Sequence, residues 1–136
     1  MSIDVRHLPD DMRSQIRFDI CWQPELDPLC WLWSGPVSNK GYGIYRCRAV
    51  TTHKLAYELL VGKVPAGLTL DHLCRRITCL NPRHLEPVTR AVNNERAALA
   101  RRNPPIDSAE EYSRYQQRQA VDAMGRILTG IWSGRA

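Results

Sequence analysis

Short apolar runs, broken by glycine and proline, alternate with helix-spaced patterns along the chain. Cys30-Trp31-Leu32-Trp33-Ser34-Gly35 and Gly41-Tyr42-Gly43-Ile44-Tyr45-Arg46-Cys47 are strand-like, and the turn chemistry of Pro36 to Lys40 between them predicts a β-hairpin. Trp31 and Trp33 alternate with Leu32, which assigns one face of the first strand to the core. Upstream, Asp10 to Ile16 is a candidate short helix, and residues 23–29, with Pro24 and Pro28, read as an extended approach loop. Downstream, Thr51 or Thr52 can cap a helix from about His53 to Val61, with Leu55, Tyr57, Leu59 and Leu60 as its apolar contacts and Gly62 at its C-terminal cap.

Val64 to Gly67 then reads as a turn, Leu68-Thr69-Leu70 as a short strand that delivers Asp71 and His72, and Leu85-Glu86-Pro87-Val88 as a second short strand. Thr89 caps a helix from about Arg90 to Arg101, rich in the strong helix former alanine. Pro104-Pro105 stops that helix and marks a linker. Ser108 begins a last helix with Glu110 and Glu111 in its first turn, running to about Leu128 before Gly130. Its apolar residues, Tyr112, Tyr115, Ala120, Val121, Met124, Ile127, Leu128 and Ile131, recur at roughly helical spacing. The pattern predicts an α+β fold divided into an N-terminal extension (1–29), a central domain (30–103) and a C-terminal helical extension (104–136).

Composition narrows the function classes. The 136 residues, 43% of them hydrophobic, suit one domain with a modest core and a tail. The net charge is +5, and the basic residues are sixteen Arg and three Lys. Arginine's planar fork matches phosphate oxygens and base edges, so the bias points towards nucleic acid. No run approaches about 18 consecutive apolar residues, so no membrane span is expected. The N-terminus shows no secretory pattern. The expected location is therefore cytoplasmic, where thiols stay reduced and five cysteines are better read as metal ligands and buried thiols than as disulfides.

The chemistry-bearing residues concentrate between positions 71 and 93. Cys74, Cys79 and His84 offer three soft or borderline ligands at metal-binding spacing in a segment with little core of its own. Tetrahedral zinc needs a fourth, and Cys30, at the first residue of a strand, is the best candidate, with Cys47 and Cys21 as competitors. Asp71 is a hard oxygen donor suited to magnesium or manganese. Asn93 falls in the first turn of the following helix, so that strand, loop, strand and helix bring the two together around one divalent ion. Such an ion stabilises the alkoxide leaving a phosphodiester. His72 titrates near neutrality, as a general base acting on water must. Adjacent strand residues face opposite ways, so Asp71 and His72 share a site only where the strand ends or bends. Asn81, ahead of Pro82, can bond to nearby backbone and hold the loop.

The order Asp71-His72-Leu73-Cys74, then Cys79-Leu80-Asn81-Pro82-Arg83-His84-Leu85-Glu86-Pro87-Val88-Thr89, then Asn93 resembles the HNH endonucleases of the ββα-metal, or His-Me finger, superfamily. Cys30 to Gly35, Gly41-Tyr42-Gly43 and His53 to Leu59 precede it in the order found in small phage-type HNH nucleases and homing endonucleases. The resemblance spans about residues 30–96. It implies a ββα-metal finger with a preceding β-hairpin and helix, followed here by the C-terminal helix. It further implies His72 as general base, Asp71 and Asn93 as ligands of a catalytic magnesium or manganese ion, and Asn81 as the support of the finger loop. Cys30, Cys74, Cys79 and His84 would hold structural zinc. Asn94 leaves the register of the last ligand open by one residue, and Asn93 is favoured by its place four residues after Thr89.

The function expected is metal-dependent cleavage of double-stranded DNA, by nicking or by double-strand breakage, in a bacterial host. A non-catalytic zinc-bound DNA-binding module and a phage packaging accessory are the alternatives, and the presence of Asp71, His72 and Asn93 together favours the enzyme. Arg75, Arg76, Arg83, Arg90, Arg96, Arg101 and Arg102, joined by His53 and Lys54, are the expected DNA-contacting residues. The C-terminal helix is expected to pack on the core or to engage a partner, whether a second copy or a packaging protein.

Overall fold

The computed structural model describes residues 3–46 and 50–133, with backbone alone from residue 126. Two compact units emerge, 1–105 and 106–136. The first opens with a short helix α1 (Asp10–Arg13) and two strands, β1 (Ile16–Ile20) and β2 (Leu29–Trp33). A helix α2 (Thr52–Leu60) follows, then strands β3 (Thr69–His72) and β4 (Leu85–Val88) and helix α3 (Arg90–Arg102). The fold is α+β.

The hairpin exists, but only one of its strands is the expected one. β2 pairs antiparallel with β1, from Ile16 opposite Trp33 to Ile20 opposite Leu29, so of residues 23–29 all but Leu29 lie within the hairpin connection. The segment 41–45 makes only isolated bridges, Val37 to Gly43 and Ile44 to Thr51. The reason is local. Ile16, Phe18 and Ile20 alternate with Arg17 and Asp19 in a strand-like pattern, although only Ile16 is partly buried and Phe18 and Ile20 are exposed, whereas Pro36, Gly41 and Gly43 interrupt the other candidate. Gly43 serves close approach instead. A Cβ there would collide with Thr52 Oγ1 and lie 2.7 Å from the Trp33 ring.

The main core gathers Leu8, Met12, Trp31, Trp33, Tyr45, Ala56, Leu60 and Leu80. The N-terminal residues thus pack directly on the tryptophans of β2. The opposite face of β2 turns Leu32 onto a second cluster with Cys21, Cys30, Cys74 and Cys79. β2 is therefore covered on both sides, and its outer edge is taken by the loop after β3. Leu80 N donates to Trp31 O, and Trp33 N to Thr78 O. These bonds bring Cys79 alongside the strand that carries Cys30.

β3 and β4 pair antiparallel, Asp71 opposite Glu86 and His72 opposite Leu85. α3 starts at its expected cap, where Thr89 Oγ1 accepts from Val92 N. α2 ends with Gly62 at φ +149°, its N–H bonded to Tyr57 O. In the second unit, α4 (Ala109–Ser133) is capped by Ser108 Oγ, which accepts from Glu111 N. It runs past the expected stop near Leu128, because an isolated glycine costs a helix only about 1 kcal/mol. Val121 and Met124 on it are exposed, and Tyr112 and Tyr115 stack. The side chains of Ile127, Leu128 and Ile131, and Cys47, lie outside the described residues. No described helix is long and apolar enough to cross a membrane.

Candidate functional site

The two elements needed for a metal centre meet where the loop after β3 lies along β2. The ligand atoms of Cys30, Cys74, Cys79 and His84 all fall within 4.8 Å of one another, and all four residues are buried. Thiolates around zinc sit roughly 3.8 Å apart, given a Zn–S bond of about 2.3 Å, so the cluster has the scale of a tetrahedral cation site. His84 is oriented for it. Its Nε2 lies 2.7 Å from the Asp27 carbonyl, which can only accept, so Nε2 carries the proton. Nδ1 then faces Cys79 Sγ at 3.5 Å and Cys30 Sγ at 3.6 Å. A backbone carbonyl fixing the tautomer of a ligating histidine is the usual outer support of such a site.

The electrostatics also fit a cation. Hydrogen bonding to Cys74 and then Cys79 drives the Cys30 thiol far above its ordinary range, while bonds from Cys30 and Cys79 draw Cys74 far below it. One charge is shared and further ionisation resisted. Burial lowers His84, but its bonds to Cys74 and Cys79 outweigh that and raise it to about 10. A divalent ion in place of the shared protons offsets two of the three thiolate charges, so this donor set could hold a structural metal such as zinc. Cys21 is buried in the same cluster but is not one of the four converging ligands.

Asn81 ties the metal loop to the β1–β2 connection. It is fully buried. Its Nδ2 donates to Leu29 O at 2.7 Å, and its Oδ1 accepts from Arg83 N at 3.0 Å. Its backbone carbonyl accepts from His84 N, and His84 O in turn accepts from Leu73 N, next to His72.

Asp71 and His72 point to opposite faces of β3. Asp71, 2% exposed, receives both Arg75 guanidinium nitrogens at 3.1 Å and Arg96 Nη1 at 3.1 Å. Arg96 also donates to Glu86 at 2.8 Å. Asn93 sits three residues before Arg96, on the same face of α3, and is half-buried, whereas Asn94 is exposed. On the other face, the His72 ring lies 4.6 Å from that of His53 and 6.2 Å from that of Tyr42. His72 Nε2 and His53 Nδ1 are both buried without a partner. Burial pushes both imidazoles down, His53 to about 3 with help from the charges of His72 and Lys54.

The expected DNA-contacting residues separate into groups. Arg75 and Arg96 hold Asp71, Arg76 pairs with Asp19 at 3.2 Å, and Arg83 pairs with Asp27 at 3.6 Å. Arg101 and Arg102 are exposed at the C-terminal end of α3. Arg90, Lys54 and the buried His53 line a cleft together with Asn93, Asn94 and Tyr42. Lys40 lines the same cleft. Nothing in its sequence neighbourhood singled it out, because its approach depends on how the 36–45 loop folds over α2.

Residues 50–95 match the HNH endonuclease family. The HNH segment contains Asp71, His72, Asn81, Asn93 and three of the four clustered ligands; Cys30 reaches it from outside the matched residues. The chain is also 38% identical over 68 residues to Protein 7.7 of Escherichia phage T7, covering 48% of this chain and 52% of that protein. It is 40% identical over 57 residues to Protein 2.8 of the same phage, covering 41% of this chain and 40% of that protein. The chain thus spans about half or less of the length of these relatives. No solved structure matches the chain.

Proposed function

We propose that this chain is a divalent-metal-dependent endonuclease that hydrolyses phosphodiester bonds of double-stranded DNA, with its finger held by zinc on Cys30, Cys74, Cys79 and His84. The observation that carries the reading is the pairing, at the end of one short strand, of a buried carboxylate held only by cations with a buried imidazole that has a free nitrogen. A protein core has no use for either.

In this reading, the site wraps the end of β3, which Asp71 and His72 approach from opposite faces, and His72 is the general base. Burial keeps it below the ordinary imidazole value, so it is the free base at neutral pH, and the unpartnered Nε2 takes a proton from the attacking water. Asp71 and Asn93 would hold the catalytic cation once Arg75 and Arg96 release the carboxylate. Asp71 offers a hard oxygen donor that already attracts positive charge, and Asn93 lies one helical turn from Arg96, which reaches that same carboxylate. A bound magnesium or manganese ion would supply electrostatic stabilisation of the oxygen leaving phosphorus. Asn81 acts through the scaffold, keeping the loop after β3 in place.

The test is incubation of purified protein with supercoiled plasmid, with and without magnesium or manganese, followed by separation of nicked and linear forms. The wild type should cut only with the metal. His72→Ala should lose cutting by at least about 100-fold, within the range general-base catalysis contributes, while still shifting DNA on a gel. Cutting at wild-type rate by folded His72→Ala protein would reject the assignment of the base. A wild type that binds duplex but never cuts it would favour the non-catalytic DNA-binding module.

A further inference from the structure

Two helix N-termini open into one cleft of about 450 Å³ in the 1–105 unit. His53 and Lys54 enter from the first turn of α2, and Arg90 and Asn93 from the first turn of α3, with Lys40 adding a third cation. Each helix start carries roughly half a positive charge on its free N–H groups. The Thr51 side chain at the start of α2 makes no capping bond. Among the described residues lining the cleft there is no carboxylate. The combination is an anion site by construction.

A second observation points to a ligand. His53 is 8% exposed, lines the cleft, and leaves Nδ1 buried without a partner. A neutral imidazole can present Nδ1 as an N–H donor, and a shift of the ring as an oxygen anion enters the cleft would satisfy it. The cleft also adjoins the proposed reaction centre. The His53 ring is 4.6 Å from that of His72, and Asn93 belongs to both. The arginines of the finger loop stand in contrast, since Arg75, Arg76 and Arg83 are each engaged by a carboxylate. No ion pair engages Lys40, Lys54 or Arg90 among the described residues.

We infer that this cleft, rather than the arginine-bearing finger loop, seats a backbone phosphodiester flanking the bond to be cut, with Lys40, Lys54 and Arg90 as its counter-charges. The inference rests on the reading of this domain as a DNA endonuclease. It is tested by binding, so that the two can fail separately.

The experiment measures the affinity of the full chain for a fluorescein-labelled duplex in EDTA, where cleavage does not occur, across a salt titration. Lys40, Lys54 and Arg90 are exposed, so Lys40→Ala, Lys54→Ala and Arg90→Ala should fold. Each should reduce the steepness of log affinity against log salt by about 0.9, the value of one lost phosphate contact. Arg76→Ala and Arg83→Ala should leave the slope at the wild-type value. Wild-type slopes in the three cleft variants would overturn the inference, as would an equal loss in Arg76→Ala and Arg83→Ala. If the cleft variants lose slope as expected but the wild type never cuts plasmid in magnesium or manganese, the cleft stands and the nuclease reading falls.

Discussion

Asn81→Ala tests whether one buried amide holds the finger. The side chain is fully buried and its two shorter bonds run to backbone groups, Nδ2 to Leu29 O at 2.7 Å and Oδ1 from Arg83 N at 3.0 Å, beside a longer one from Nδ2 to Asp27 Oδ1. Alanine leaves an acceptor and a donor without partners. Each such loss costs about 1–2 kcal/mol, so the variant should be about 2–4 kcal/mol less stable. In a domain of about 100 residues each kcal/mol moves Tm by roughly 4 °C, which gives a drop of about 8–16 °C by circular dichroism in zinc-containing buffer. Asn81→Asp separates the two bonds. Its carboxylate can still accept from Arg83 N but cannot donate to Leu29 O. It would also meet Asp27 Oδ1, which lies 3.4 Å from the amide nitrogen. That variant should be at least as unstable as Asn81→Ala at neutral pH and recover in part on acidification, when the carboxyl regains a donor. A fall in Tm of less than about 2 °C for Asn81→Ala, or a wild-type Tm for Asn81→Asp, would refute the reasoning.

Two further outcomes follow from the metal cluster and the histidine pair. Elemental analysis should find one zinc per chain, and Cys30→Ser should release it and unfold the 1–105 unit, because a ligand set in so small a domain contributes folding energy directly; folded, metal-free wild-type protein would contradict this. Burial, followed by the charges of His72 and Lys54, holds His53 at about 3 against 6.5 when free, so the unfolded chain binds the extra proton and stability falls as pH drops from 6.5 towards 3, by on the order of 4 kcal/mol in all. Wild type should therefore lose Tm relative to His53→Leu over that window, and parallel curves would show that His53 is solvated.

The site was legible where its residues are close in sequence. Asp71, His72, Cys74, Cys79, Asn81, His84 and Asn93 fall in one run whose strand, loop, strand and helix are each signalled locally, by the Thr89 cap and by the apolar steps of β3 and β4. Cys30 is legible as a member of the cluster for a weaker reason, as the thiol best placed to cross a small domain. The contact that brings it there, β2 against residues 78–80, is a nonlocal pairing with no sequence signature.

The same limit explains the misassigned hairpin and the regrouped arginines. The strand 30–35 has two possible partners, and the turn chemistry of residues 36–40 favours 41–47. The alternation of Ile16, Phe18 and Ile20 was the better signal, and it was masked by the charged helix start just before it. For the arginines, composition reports charge without reporting what each charge meets. Asp19 and Asp27 lie more than fifty residues before Arg76 and Arg83, yet the fold sets them 3.2 and 3.6 Å from those guanidiniums. An ion pair of this kind is worth little by itself at a surface, but it lowers the charge that the loop offers to a phosphate. The net positive charge that remains beside His72 comes from Lys40, Lys54 and Arg90 and from two helix starts, features drawn from three separate stretches of chain. The cleft is thus a product of tertiary structure: the same residues laid out in sequence show only a lysine in a turn, a lysine beside a histidine, and one arginine among many.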